Sequence, residues 1–273
     1  MVRKMKIQVL VAAMHQKDHS LLDKMNIRCD AIIGNQCDEN RVEQFEWNGH
    51  QISYLSFSER GVGLNRNNTL MRAYGDICLF SDDDMCYRDD YVEIIQKAFC
   101  EIPEADGIIF NIDILGNNIG SRRNTVSKRV HWYNALSYGT ARLAVKTSSI
   151  KRENIAFHSC FGGGTIFSCG EDTLFIVDML KCGLKIYTYP IAIANVDQSS
   201  STWFFGYNKK LIHDRGVLFR AISRRWAAVL CLQDLLRPPY IYMKAGLSFG
   251  EAWKLMKQGR KDFSTLTPYK ESK

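Results

Sequence analysis

Three consecutive aspartates, Asp82, Asp83 and Asp84, follow the apolar run Ile77–Phe80. Adjacent like charges repel one another, so a chain that needed only a turn would be expected to use Gly, Asn or a single Asp. Clustered carboxylates at the end of a strand suit Mg²⁺ or Mn²⁺, which also bind the phosphates of a substrate. In an extended Asp-x-Asp segment, Asp82 and Asp84 would point to one side and Asp83 to the other. The pattern predicts a divalent-metal site at Asp82 and Asp84, and a solvated acidic turn is the alternative.

A second carboxylate pair, Glu171 and Asp172, begins a predicted helix that ends at Gly183. A carboxylate held there could accept the proton of a hydroxyl group, and a positioned general base contributes about 10²–10⁴-fold to a rate. The positive end of the helix dipole favours acids at the same place, so ordinary capping is the alternative. We predict that Asp172 is the general base and that Glu171 lies beside it in the catalytic site.

The elements that must position these carboxylates alternate between strands and helices. Strands are predicted at Lys6–Met14, Ala31–Gly34, His50–Phe57, Ile77–Ser81, Gly107–Ile114 and Lys185–Ala194. Helices are predicted at His19–Met25, Leu64–Tyr74, Asp89–Cys100 and Glu171–Cys182. This alternation predicts an α/β fold with a mostly parallel sheet flanked by helices, which binds ligands at the carboxyl ends of its strands.

Composition narrows the class of protein. The chain has 273 residues, of which 46% are hydrophobic and 24% charged, as in ordinary globular proteins. Its nine cysteines form no Cys-x-x-Cys pair, so we expect neither a disulfide framework nor a zinc site. We expect the apolar residues near the N-terminus to form a strand rather than a signal peptide, and no run approaches the ~20 apolar residues of a membrane span. A cytoplasmic location is expected.

Basic charge is concentrated in the C-terminal part. Residues 201–273 carry 14 Lys and Arg against 5 Asp and Glu, and we expect them to form a basic, mostly helical extension of a catalytic domain at residues 1–200. Apolar residues and arginines alternate in Val217–Leu236, which predicts an amphipathic helix at an anionic membrane surface. A helix packed on its own domain is the alternative. Candidate diphosphate contacts in this part are Lys209, Lys210, His213 and Arg215.

Two passages resemble the family 2 nucleotide-sugar glycosyltransferases, which have the GT-A fold. In Glu59–Met85, a Gly-rich turn, Arg66-Asn67, an Ala-x-Gly segment and a strand that ends in Asp-x-Asp follow one another in the family's order. In Gly170–Pro190, a Glu-Asp pair precedes a Gly-ended helix and a strand. The beginning of the chain departs from the pattern, since Val11–His15 replaces the usual Pro-Thr-Tyr-Asn-like turn.

The resemblance implies roles for further residues. The segment Asn35–Asp38 stands where a double Asp often contacts the base, and the forked guanidinium of Arg66 suits phosphate or base oxygens. The implied nucleotide-binding residues are Asn35, Gln36, Asp38, Arg66, Asp82 and Asp83. The loop Cys160–Phe167 lacks the Gly-Lys-Ser/Thr of a Walker loop, and the resemblance places it near the acceptor and the donor sugar. The implied acceptor-side residues are His158, Gly162, Gly163 and Gly164, with a plain turn and a structural histidine as alternatives.

The implied function is an inverting glycosyltransferase of surface-polysaccharide assembly. It would move a sugar from a UDP-sugar to a saccharide or a lipid-linked saccharide, with Mn²⁺ or Mg²⁺ as cofactor and a peripheral site on the inner face of the cell membrane. The Glu-Asp pattern implies no separate nucleophile, so a single displacement is expected. Residues 116–154 would form a variable excursion on the acceptor side.

Three other functions remain open at this stage. A catalytically silent binding module would share the sugar-nucleotide or membrane contacts. A phosphatase with an Asp nucleophile would use Asp82, but such enzymes normally have Thr or Val where this chain has Cys86. A nucleic-acid-binding protein would explain the basic C-terminal part, yet the body is nearly neutral and has no recognition motif, so we expect no nucleic-acid partner.

Overall fold

The structure is a computed structural model that describes residues 4–115, 123–197, 206–238 and 240–266. Its strands are β1 (Ile7–Met14), β2 (Asp30–Gln36), β3 (Arg41–Trp47), β4 (His50–Phe57), β5 (Ile77–Asp82), β6 (Met85–Tyr87), β7 (Gly107–Leu115), β8 (Leu143–Lys146) and β9 (Ile186–Asp197). Its α-helices are α1 (Leu21–Lys24), α2 (Val62–Arg72), α3 (Tyr91–Glu101), α4 (Thr147–Arg152), α5 (Glu171–Lys181), α6 (Lys209–Ile222), α7 (Ala227–Leu236), α8 (Ile241–Lys244) and α9 (Phe249–Asp262).

Within the described residues, the nine strands form one sheet in the order β3-β4-β2-β1-β5-β8-β7-β9-β6. Strands β4, β2, β1, β5, β7 and β9 run in one direction, whereas β3, β8 and β6 run in the other. The predicted α/β fold with a mostly parallel sheet is therefore confirmed. All of β2 and nearly all of β1 are buried, as expected for parallel strands covered on both faces.

The direction of the strands decides where a site can form. Strands β4, β2, β1 and β5 are neighbours and parallel, so their carboxyl-terminal ends meet along one side of the sheet, which we call the carboxyl edge. The residues that follow these strands lie there, including His15-Gln16 after β1 and Cys37-Asp38 after β2. The aspartates at the end of β5 lie at the same edge. Ligands of open α/β sheets bind at this kind of edge.

The sequence analysis missed strand β3. It pairs antiparallel with β4 through a turn at Asn48 and Gly49, whose φ angles are 49° and 81°. Two successive positive φ angles define the type I′ turn that Asn-Gly favours in two-residue hairpins. Residues of β3 alternate between exposed and half-buried, as on an edge strand.

The predicted excursion at residues 116–154 is wrong for its last part. Residues 143–146 form β8, which lies antiparallel between β5 and β7 in the sheet, and α4 follows it directly. Residues 116–122 lie outside the described part of the chain.

The chain divides into two compact units that interleave in sequence. The sheet unit contains Met1–Arg60, Leu64–Phe157 and Phe175–Ser201, and the second unit contains Gly61–Gly63, His158–Leu174 and Thr202–Lys273. The sequence analysis had divided the chain at a single point, residue 200. Whether residues 1–200 and 201–273 are separate domains stays a prediction.

The single amphipathic helix predicted over Val217–Leu236 is wrong. Helix α6 ends at Ile222, Ser223 has extended backbone angles, and α7 begins at Ala227. Val217, Leu218 and Phe219 are buried in the second unit, where α6 packs against α9. For α6, the packed alternative is therefore correct.

Candidate functional site

Asp82 and Arg66 form an ion pair at the carboxyl edge of the sheet unit. Asp82 is the last residue of β5, and its Oδ1 atom lies 2.7 Å from Nη2 of Arg66. Arg66 is only 3% exposed, and its guanidinium lies 5.4 Å from the ring centroid of Phe157. Burial and the aromatic ring hold the guanidinium at the edge, so the structure brings together two residues that the sequence analysis selected.

Asp83 and Asp84 occupy the turn between β5 and β6 rather than an extended segment. The expected alternation of Asp82 and Asp84 along a strand is therefore wrong, because β5 ends at Asp82. Asp83 Oδ2 accepts hydrogen bonds from the Met14 backbone N–H, at 3.2 Å, and from Gln16 Nε2, at 3.1 Å. These hydrogen bonds connect the acidic turn to the end of β1.

The acidic turn has the chemistry of a hard-cation site. Burial, with the charges of Asp82 and Asp83, raises the pKa of Asp84 to about 6. Burial is the main cause of this shift and the charges of Asp82 and Asp83 add to it, so a divalent cation bound beside Asp84 would favour its ionised form. Among the described residues, no three or more His, Cys, Asp or Glu side chains form a group that could hold a metal. Two aspartates still fit Mg²⁺ or Mn²⁺, since such ions commonly bind one or two carboxylates, substrate phosphates and water.

A cavity of about 310 Å³ lies in the sheet unit beside the ends of β1 and β2. Its lining residues are His15, Gln16, Lys17, Asp18, His19, Cys37, Asp38, Glu39, Arg41, Tyr54 and Ser56. The His19 ring stacks on Phe45 at 4.5 Å between centroids and lies 4.9 Å from Tyr54. A volume of this size lies at the lower end of the range for small-molecule sites.

Two predicted nucleotide-binding residues shape this cavity. Asn35 is buried, accepts a hydrogen bond from the Gln16 N–H at 3.0 Å and donates one to the Gln16 carbonyl at 2.9 Å. Asp38 is exposed and pairs with Arg60, which also donates to the Cys37 carbonyl at 2.8 Å. Gln36 is buried at the end of β2. Direct contact of these three residues with a nucleotide stays a prediction.

Sequence analysis did not select the residues that complete this cavity. The turn after β1 begins at His15, which has a positive φ of 52° and donates its backbone N–H to the Gln36 carbonyl at 2.9 Å. Gln16 then contacts both Asn35 and Asp83. The available signal was a run of polar residues directly after a buried strand, because that position falls at the carboxyl edge.

The glycine-rich loop and the Glu-Asp pair both belong to the second unit. Gly162 has a φ of 99°, and a Cβ atom there would lie 2.6 Å from Cδ of Glu171 and 2.6 Å from Cγ1 of Val62. Only glycine fits such a close approach at a positive φ. The loop backbone therefore lies against the Glu171 carboxylate, which brings two predicted site residues together.

The other predicted residues of this unit have different surroundings. Asp172 is half-buried in the first turn of α5, next to Glu171. Gly163 accepts the Val62 backbone N–H at 3.1 Å, whereas Gly164 is exposed and has a φ of 78°. His158 is exposed before the loop. Their roles toward an acceptor stay predictions.

A buried network fixes the end of the glycine-rich loop. Asp214 on α6 is fully buried, and its Oδ2 accepts hydrogen bonds from the backbone N–H and the hydroxyl of Ser168, both at 2.8 Å. Lys210 donates to the same Oδ2 atom and to the Ile166 carbonyl. His213 lies between two carboxylates: its Nδ1 atom is 2.9 Å from Oδ1 of Asp214, and its Nε2 atom is 2.9 Å from Oδ2 of Asp262 on α9. The segment that leads into Glu171 and Asp172 is thereby held by α6.

This network corrects part of the predicted diphosphate contacts. His213 has no exposed surface, so its prediction as a diphosphate ligand is wrong. Lys210 is engaged with Asp214, and Arg215 donates from Nε to Asp234 at 2.7 Å. Lys209 is the first residue of α6, and its contact with a diphosphate stays a prediction. Residues 201–205, which precede these candidates, lie outside the described part of the chain.

The His213 network makes the stability of the protein depend on pH. Burial by itself lowers the pKa of His213, but hydrogen bonds and charges from Asp214 and Asp262 outweigh it, so the pKa lies above its usual 6.5. The stability from protonated His213 is therefore complete below about pH 6.5 and is lost as the pH rises through the folded-state pKa. For Asp214, burial raises the pKa, but the hydrogen bonds that its carboxylate accepts outweigh burial and lower the pKa below 3.8. The stability that ionised Asp214 contributes is therefore lost as the pH falls through this lowered pKa.

We expect His213→Gln to lower the free energy of unfolding by about 3 kcal/mol, because it leaves two carboxylates without their shared partner. The melting temperature of the variant should also change less than that of the wild type between about pH 6 and pH 8. Thermal melting across this range measures both effects. The control is His50→Gln on β4, outside the network, which should keep the wild-type profile. Identical pH profiles for wild type and His213→Gln would contradict the prediction.

Comparison with known proteins identifies the family. The model of glycosyl transferase family 2 matches residues 19–167, which is more than half of the chain and includes the cavity lining from His19 onward, the acidic turn and the glycine-rich loop. The chain belongs to glycosyl transferase family 2. The family 2 prediction is therefore confirmed, and the protein is a glycosyltransferase with a nucleotide-sugar donor. A search of curated proteins finds no match to the chain.

Solved structures confirm the GT-A fold of this family 2 protein. The chain is similar to S. aureus TarS 1–349 in complex with UDP-GlcNAc, with a TM-score of 0.61, 12% identity and coverage of 97% of this chain and 93% of that one. For TarS 1–349 in complex with UDP, the TM-score is 0.59, with 14% identity and the same coverage. A longer TarS structure matches with a TM-score of 0.58 and 13% identity, and covers 93% of this chain and 55% of that one.

Proposed function

We propose that this protein is a metal-dependent, inverting glycosyltransferase that moves a sugar from a UDP-sugar to a hydroxyl group of a saccharide or a lipid-linked saccharide. The observation that carries the proposal is the Arg66–Asp82 pair beside a crowded acidic turn, at the carboxyl edge of a family 2 chain. The UDP-GlcNAc and UDP named in the TarS complexes support UDP as the nucleotide.

The sheet unit holds the donor in this proposal. The cavity at the ends of β1 and β2 takes the base and ribose, because the neighbouring His19 and Tyr54 rings line it together with polar groups. Asp82 and Asp84 hold Mn²⁺ or Mg²⁺, and the bound metal supplies positive charge to the leaving diphosphate. Arg66 orients Asp82 through its ion pair, so the carboxylate does not have to reorganise when the donor binds.

Asp172 supplies the base. It accepts the proton of the acceptor hydroxyl while the hydroxyl oxygen forms a bond to the anomeric carbon. The bond from that carbon to the diphosphate oxygen breaks on the opposite face, and its electron pair leaves with UDP. One displacement of this kind inverts the anomeric configuration. Glu171 lies against the backbone of the glycine-rich loop, since a side chain at Gly162 would collide with it.

The acceptor side is formed by Gly162, Gly163, Gly164 and His158. Gly164 and His158 are exposed, and glycines leave room for the ring of a sugar. We place the reaction in the cytoplasm, at the inner face of the cell membrane, in the assembly of a surface polysaccharide or glycolipid. In the part of the chain that the structure describes, no helix has both the length and the apolar character needed to cross a membrane.

Donor binding tests the proposal directly. We expect one UDP-sugar of a panel to raise the stability of the protein only when Mn²⁺ or Mg²⁺ is present, by about 2.7 kcal/mol at a hundredfold excess over Kd. Thermal melting with UDP-sugars, other sugar nucleotides and metal alone measures this. Stabilisation without turnover would favour a silent binding module, and hydrolysis of phosphomonoesters that depends on Asp82 would favour a phosphatase. The absence of any effect from every sugar nucleotide would contradict the proposal.

A further inference from the structure

Helix α7 in the second unit has two apolar faces. One face packs inward: Ala227, Cys231 and Leu235, four residues apart, are at most 2% exposed. Residues at this spacing lie on the same side of a helix, so the three side chains form the contact of α7 with its own unit. This inward contact holds α7 on its own unit. The apolar side chains on the opposite face take no part in that contact.

The opposite face consists of four exposed apolar side chains, which we call the outer stripe. They are Trp226 (63% exposed), Val229 (53%), Leu232 (42%) and Leu236 (60%). Their spacing of three, three and four residues places them along one line on the helix surface. A single exposed apolar residue is normal on a protein, but a continuous stripe that includes a Trp marks a contact surface.

Arginines border the outer stripe at both ends. Arg224 and Arg225 precede Trp226, Arg237 follows Leu236, and all three are exposed. The one acid of α7, Asp234, is paired with Arg215. The helix therefore presents apolar side chains between positive charges that its own carboxylate does not neutralise.

We propose that the outer stripe and its three arginines dock the protein on an anionic lipid surface. Apolar side chains of an interfacial helix enter the boundary between headgroups and acyl chains, where Trp is favoured, and arginines bind lipid phosphates. Charge complementarity selects this partner, because arginines at both ends match a negatively charged plane. Four side chains also fall short of the roughly 800 Å² that each partner buries in a standard protein interface. The inference rests on the membrane location in the proposed function, but the outer stripe takes no part in the sugar-transfer step itself.

Vesicle co-sedimentation of the full chain tests this inference. We expect the protein to pellet with vesicles of phosphatidylcholine and phosphatidylglycerol, to bind phosphatidylcholine alone weakly, and to be released by salt. Trp226→Ser combined with Leu232→Ser removes half of the outer stripe, and Arg224→Gln combined with Arg225→Gln removes two charges. Each pair should weaken binding by about tenfold or more, because the arginine pair removes two charges near an anionic surface and the other pair removes two apolar side chains that enter the headgroup boundary.

Matched controls separate docking from general effects. Met71→Ser removes a similarly exposed apolar side chain (68%) from α2, and Lys128→Gln combined with Arg129→Gln removes two consecutive exposed charges. Both controls should bind vesicles like the wild type, and all variants should keep the wild-type melting temperature and UDP-sugar stabilisation. These two readouts distinguish a failure of docking from a failure of the proposed sugar transfer.

Three outcomes would overturn the inference. Equal binding of the wild type to anionic and neutral vesicles would exclude anionic recognition. Unchanged binding of both double variants would place any lipid contact elsewhere. A dimer of the wild type in light scattering that Trp226→Ser and Leu232→Ser dissociate would show instead that the outer stripe joins two copies of the chain.

Discussion

Asp172→Asn is expected to lower kcat for sugar transfer by about 10²-fold or more while donor affinity stays at the wild-type level. The amide keeps the shape of the carboxylate but cannot accept the proton of the acceptor hydroxyl. Helix α5 should tolerate the change, because Asn and Asp have similar helix propensities. Initial rates at saturating donor, together with the shift in melting temperature on donor binding, measure the two quantities separately.

The same substitution elsewhere on α5 is the matched control. Asp178→Asn removes a half-buried carboxylate that pairs with Lys181 at 3.1 Å, on the same helix. Its kcat should equal that of the wild type, because an ion pair near the surface contributes little. Wild-type turnover in Asp172→Asn would show that another group is the base, regardless of the donor affinity of the variant.

Asp84→Asn should impair donor binding, whereas Asp172→Asn should impair turnover. We expect the metal-dependent stabilisation by donor to disappear, because a neutral amide is a poor ligand for a hard cation next to a diphosphate. The protein without donor should melt at the wild-type temperature or above it. One of three crowded negative charges has been removed, and burial together with Asp82 and Asp83 already disfavours the ionised carboxyl of Asp84 by raising its pKa to about 6.

Asp90→Asn provides the control for charge in this region. Asp90 is exposed, pairs with Arg88 and precedes α3, so its loss changes the net charge by the same amount without touching the acidic turn. Its donor stabilisation should match the wild type. Retention of full metal-dependent donor binding by Asp84→Asn would contradict the metal site at Asp82 and Asp84.

The position of Asp82 at the carboxyl edge could be predicted because its signals are local. The apolar run before Asp82 has the length and composition of a buried strand, and parallel strands place their carboxyl ends at one edge. The position of Arg66 near that edge followed from the resemblance, and the structure adds the ion pair that explains the residue type. The roles of the nearby polar residues were harder to predict, since Asn35 turns out to contact Gln16 through both atoms of its amide.

Long-range pairing explains what the sequence analysis missed. Strand β8 has only four residues, and its position depends on β5 and β7, which lie far away in sequence. The break between α6 and α7 is equally hidden, because apolar residues continue through Ile222 and Trp226 while the backbone at Ser223 is extended. His213 resembled a ligand contact in the sequence, but two carboxylates from α6 and α9 enclose it. Strand β3 could have been found from the Asn48-Gly49 turn.

The most direct test of glycosyl transfer is the release of UDP with its stereochemical outcome. The full chain is incubated with a UDP-sugar that stabilises it, Mn²⁺ and a saccharide acceptor, and NMR follows UDP and the anomeric proton of the product. We predict metal-dependent UDP release that the acceptor accelerates, and a product whose anomeric configuration is opposite to that of the donor. A product that retains the donor configuration would contradict the single displacement with Asp172 as base, and no UDP from any sugar nucleotide would contradict sugar transfer itself.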